Sequence, residues 1–154
     1  MGLIGHAGLK AGFLGFNIKG NKAMLFDGGD RPFSATLLSD VAKAVVGILR
    51  HPEETKNKLV YVHSARLTQK QLVAVYDNIR DTKLETTVVS SEDVVKAGTE
   101  KFANGDFSGF VDQFLVCYFG EGYGGDYEGR ESNGLFGIEL LDQEGIEEVV
   151  KASL

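Results

Sequence analysis

The chain has 154 residues, 43% hydrophobic and 25% charged, a composition that fits one globular domain able to bury its own core and excludes a disordered segment. Its formal net charge of −6, with no run of lysine and arginine, argues against nucleic acid as the main partner, because neutralising phosphates takes clustered positive charge. The single cysteine, Cys117, excludes an intramolecular disulfide, and no stretch approaches the 18 or so apolar residues of a membrane span, so a cytoplasmic protein is expected.

The first segment, MGLIGHAGLKAGFLGF, has no basic n-region, and glycine interrupts its apolar run, which argues against a signal peptide. Gly2, Gly5 and Gly8 spell G-x-x-G-x-x-G, a variant of the dinucleotide fingerprint. Asp27 follows about 20 residues later, where a ribose-binding acid would stand. That fingerprint works as a turn from a buried strand into a helix, and no such strand is expected ahead of Gly2. Glycine also recurs at Gly12, Gly15 and Gly20. The segment reads as a glycine-rich packing element, and no cofactor is expected for this chain alone.

Ala23–Asp27 (AMLFD) reads as a strand ended by Gly28-Gly29. Ser39 is the expected N-cap of a helix carrying Val41, Ala44, Val45, Ile48 and Leu49, closed by Pro52. Leu59–His63 (LVYVH) is a second expected strand, rich in β-branched and aromatic residues. Thr68 can cap a helix with Leu72, Val73, Tyr76 and Ile79 on one face. Leu84–Val89 is a third strand, and Ser90 with Asp93 matches a capping box for the next helix. A further helix runs from Phe107 to about Phe119, with Phe107, Phe110, Val111, Phe114, Leu115 and Tyr118 at helical spacing. Of these, Phe107 and Phe114 are assigned to the core. A glycine-dense loop follows (Gly120–Gly134), then a short helix carrying Ile146, Val149 and Val150. This order implies an α/β fold, with a small mixed or parallel sheet and flanking helices, as a single domain over 1–154.

Candidate chemistry is sparse. His51 at a helix end and His63 at a strand end read as structural, with a cleft-facing His63 as the alternative. His6 is the candidate acid/base at neutral pH. No group of residues has metal-ligand spacing, and Cys117 reads as a buried mid-helix thiol. Asp126 and Glu128 read as solvated carboxylates. Tyr118, Tyr123 and Tyr127, on or beside the glycine-dense loop, suit the mouth of a pocket for a flat apolar ligand.

From Gly12 onward the chain resembles a known family, through the segments DGG (Asp27–Gly29), FSAT (Phe33–Thr36), HPEETKN (His51–Asn57), GDFSGF (Gly105–Phe110) and FGEGYGGDYE (Phe119–Glu128). Together they look like the C-terminal, substrate-lobe half of fungal NmrA-like, isoflavone-reductase-like proteins of the atypical short-chain dehydrogenase/reductase superfamily. The resemblance implies a partial NAD(P)-binding Rossmann-like fold whose cofactor loop lies upstream of the matching region. Full-length relatives use NADP or NAD. It also implies a pocket walled by residues of His6–Phe16, including Phe13 and Phe16, and by Phe110 to Tyr127.

Three functions follow as expectations. The first is a binding domain for a small aromatic or polyketide-like ligand, not redox-competent alone. The second is a cofactor-independent isomerase or cyclase, and the third a regulatory interaction protein. The expected protein partner is a second copy of the chain or a Rossmann-containing chain.

Overall fold

The computed structural model describes residues 13–154. The fold is mixed α/β, with a small mixed sheet and flanking helices. After a 3-10 turn at Phe13–Gly15, strands β1 (Phe16–Asn17), β2 (Lys22–Phe26) and β5 (Glu85–Val89) form a sheet in the order β1-β2-β5. β1 runs antiparallel to β2, whereas β2 and β5 are parallel, with Lys22 beside Glu85 and Phe26 beside Val89. A second, antiparallel pair joins β3 (Pro32–Ala35) to β4 (Ala65–Thr68). The helices are α1 (Leu38–Arg50), α2 (Pro52–Thr55), α3 (Gln69–Arg80), α4 (Ser91–Ala103), α5 (Gly109–Phe119), α6 (Asn133–Phe136) and α7 (Gln143–Lys151).

Local chemistry sets several boundaries. Thr68 caps α3 in a full capping box, its hydroxyl accepting from the Gln71 N–H while the Gln71 side chain accepts from the Thr68 N–H. Asp142 caps α7 through the Gly145 N–H at 2.9 Å. The core holds Phe16, Phe26, Phe33, Leu72, Tyr76, Val116, Phe119 and Val150. Gln69, fully buried, ties the two sheets together. Its Oε1 accepts the Phe26 N–H and its Nε2 donates to the Met24 carbonyl, each at 2.9 Å.

Several sequence expectations need correction. LVYVH is not a strand: Tyr61 makes one isolated bridge to Glu131, and the strand lies beyond it at Ala65–Thr68. The backbone of this segment is satisfied by irregular partners instead of a ladder. Ser132 donates to the Tyr61 carbonyl, Thr36 Oγ1 to the Val62 carbonyl, and Asn133 exchanges two bonds with His63. The N-cap of α1 is Leu37, without a side-chain cap, and Ser39 lies inside the first turn. At α4 only the serine half of the predicted box is present, with Ser90 Oγ accepting from the Asp93 N–H.

Helix α5 begins at Gly109, so Phe107 lies in the preceding turn, outside the helical phase. It is 79% exposed and meets Phe102 edge-on. Phe114 is also exposed, and Cys117 is an exposed thiol. A helix that is apolar nearly all round does not encode which face is buried. Here the buried face carries Leu115, Val116 and Phe119.

Candidate cleft at the strand ends

In open α/β sheets, ligands bind beyond the carboxyl ends of parallel strands. At those ends of β2 and β5 lies a cleft of about 600 Å³. Val95 of α4 and Val116 of α5 supply apolar wall, Tyr123 from the glycine-dense loop lines it half-exposed, and Asp27, Arg31, Glu92 and Glu121 supply polar groups. Arg31 Nη2 reaches Glu121 Oε2 at 2.8 Å.

Asp27, the residue that imitates a ribose-binding acid, has a different role. Its backbone sits in the left-handed region (φ 47°), its N–H donates to the Val89 carbonyl, and its Oδ1 accepts the Ser91 N–H at 2.9 Å. With Ser90 on the Asp93 N–H, two first-turn donors of α4 are already taken, one by a carboxylate. Three carboxylates against one guanidinium make the cleft unfavourable for a phosphate. They suit a neutral or cationic ligand with an apolar ring.

The glycine-dense loop is held firmly. Arg66 of β4 donates to Asp126 through Nε and Nη2 at 2.9 and 2.8 Å, and Nη2 lies 2.7 Å from Glu128. That bidentate contact holds the Asp126 carboxyl below the usual carboxylate range and raises the Arg66 guanidinium. The two carboxylates are therefore paired, not simply solvated. Ser34 of β3 is the second anchor: its N–H donates to the Gly125 carbonyl, and its Oγ accepts the Tyr127 N–H at 2.9 Å and lies 2.8 Å from His63 Nδ1. His63 is buried among these groups, a structural position.

The aromatic residues expected to share one pocket are separated. Among the described ones, Tyr123 alone lines the cleft. Tyr127 is buried with its ring 5.1 Å from that of Tyr61, and both line a hollow of about 280 Å³ against Val41, Ala44 and Ile48 of α1. The Arg130 guanidinium sits 5.1 Å from the Tyr61 ring centre and 5.8 Å from that of Tyr127. Tyr118 is buried beside Phe114 and Phe119, with no partner for its hydroxyl among the described residues, and burial pushes its pKa upward. Phe110 is exposed and stacks on Phe114, while Phe16 is fully buried against Tyr76. His6 and the Phe13 side chain lie outside the described residues. His51 stands 3.6 Å from Glu54 at the α1–α2 junction. Sequence reasoning missed Arg31, Arg66 and Gln69. Arg31 and Arg66 find partners 90 and 60 residues away, so no local spacing announces them.

Among the described residues no His, Cys, Asp and Glu group could hold a metal ion, and no helix is long and apolar enough to cross a membrane.

Curated fungal proteins align with the chain. One is "Oxidoreductase poxI" of Penicillium oxalicum, 31% identical over 104 residues, which cover 68% of this chain and 33% of the relative. The chain is similar to fungal oxidoreductases. Another relative, "Oxidoreductase aprR" of Aspergillus flavus, is 27% identical over 123 residues, covering 79% of this chain and 41% of the relative. The chain thus spans roughly a third to two-fifths of the length of the relatives it matches. No protein-family profile matches it.

Proposed function

We propose that this chain is a substrate lobe of the NmrA-like, isoflavone-reductase-like type, which binds a small, flat aromatic ligand in the cleft at the β2 and β5 ends. The observation that carries this reading is the cleft itself, lined by Tyr123, Val95 and Val116 at the position where α/β sheets receive ligands. The oxidoreductase relatives support a redox context. Within residues 13–154, the α4 N-terminus beside the cleft is already capped by Asp27, so hydride chemistry here calls for a nucleotide supplied by a further Rossmann-type unit. Exposed apolar side chains on α1 (Val45 and Leu49) and at Leu59 offer surface for that unit.

The test is calorimetric titration with 1,8-dihydroxyanthraquinone as a flat aromatic probe, and separately with NADPH. One micromolar site for the probe is expected, weakened at least tenfold by Tyr123→Ala, with no heat from NADPH. Micromolar NADPH binding without probe binding overturns the proposal.

A further inference from the structure

We propose that the outer edge of β5 is a pairing surface for a second copy of this chain, joining two three-stranded sheets through an antiparallel β5–β5 contact. The inference is independent of the ligand reading above.

The ladder shows which peptide groups are free. The Glu85 N–H donates to the Asn21 carbonyl, and the Val89 carbonyl accepts from the Asp27 N–H. The odd-numbered residues of β5 therefore turn their peptide groups toward β2, and strand alternation turns those of Thr86 and Val88 outward. β5 ends the sheet order, and among the described residues no strand pairs with that outer side. Parallel strands are ordinarily buried on both faces, yet Glu85 through Val88 are all exposed. Val88 is beside Leu25 in register, and while Leu25 is buried, Val88 is 63% exposed. The segment ETTVV has no proline and no lysine, and its one charge, Glu85, stands at the start of the strand, paired with Lys22 of β2.

The sequence of the edge says what covers it. A two-fold axis between two copies of Thr87 sets Thr86 opposite Val88 of the other copy and Glu85 opposite Val89. Thr86 and Val88 are the residues with outward groups, so each such pair exchanges two hydrogen bonds. Thr87 then faces its own copy as a non-hydrogen-bonded pair, with Cα atoms about 4.5 Å apart. Threonine opposite threonine is a favourable cross-strand pair. No like charges stand opposite each other, because each Glu85 meets a valine. The contact uses the same surface twice and closes on itself. The sheet's other edge, β1, is only two residues long, too short to propagate a fibre.

The test is sedimentation equilibrium of the whole chain at tens of micromolar, with three sets of variants. The wild type is expected at twice 16.7 kDa. Thr86→Pro removes an outward N–H without touching the β2 ladder, and Val88→Lys places a charge in the contact. Each is expected to weaken dimerisation at least tenfold with an unchanged far-UV circular dichroism spectrum. In a Cys117→Ser background, Thr87→Cys is expected to form a covalent dimer on mild oxidation, whereas Thr86→Cys is not. Three results overturn the proposal: a monomeric wild type, a dimer indifferent to both edge variants, or a dimer broken instead by Phe107→Ser in the turn before α5 and Phe110→Ser in its first turn, both exposed aromatics.

Discussion

Arg66 and Asp126, 60 residues apart in sequence, are joined by two parallel hydrogen bonds of 2.9 and 2.8 Å that fasten the glycine-dense loop to β4. The loop carries both Tyr123 and Tyr127, so this pair helps set where the cleft wall stands. Because the contact is bidentate, lysine cannot replace arginine in it.

Removing the contact should therefore loosen the loop more than it destabilises the fold. Arg66→Lys and Asp126→Asn are each expected to cost about 1 kcal/mol in urea unfolding, near the upper range for partly exposed pairs. Both should increase amide exchange across the loop. The pH dependence has a definite sign. The folded-state pKa of Asp126 is lowered, first by the Arg66 hydrogen bond, so its stabilisation is complete above the unfolded carboxylate value of about 3.9. It is lost as pH falls through the folded value. Comparing wild type with Asp126→Asn from pH 7 down to pH 2 should show the difference shrinking only at the acid end.

Gln69 presents a harsher case. Gln69→Ala leaves the Phe26 N–H and the Met24 carbonyl without their side-chain partner, in a region where Phe26 is 1% exposed. Each unsatisfied group costs about 1–3 kcal/mol, and a loss of about 3 kcal/mol in total is expected from chemical denaturation. An unchanged denaturation midpoint would refute the assigned role.

At Gly109 the two effects of an added methyl oppose each other. Alanine favours a helix interior by about 1 kcal/mol over glycine, and by less at a first position such as Gly109. A Cβ there, however, would run into the Gly98 carbonyl of α4, and one at Gly98 would meet the Gly109 carbonyl at 3.1 Å. Backbone against backbone cannot give way as a flexible side chain can, so the clash wins. Gly109→Ala is expected to destabilise by about 1–3 kcal/mol, as measured by thermal unfolding.

These glycines also show what the sequence conveyed and what it did not. The parallel β2 and β5 strands, α3 with its Thr68 cap and the amphipathic α7 were legible because β-branching, capping and periodicity all agreed there. LVYVH misled because its composition favours a strand, while its neighbours offer it side chains and a loop in place of a ladder. Phe107 and Phe114 misled because an all-round apolar segment has no phase to read. Of the candidate cleft, Tyr123 was legible from its glycine-rich setting. The roles of Asp27, Arg31 and Glu121 were not, because each depends on a contact far away in sequence.

The central claim is that ligand binds at the carboxyl ends of β2 and β5. It is tested most directly by a heteronuclear NMR titration of the chain with 1,8-dihydroxyanthraquinone. The largest amide shifts are expected at Asp27, Ser91, Glu92, Val95 and Tyr123. Shifts centred instead on Tyr61, Val62 and Tyr127, or no saturable shifts at all, would contradict it.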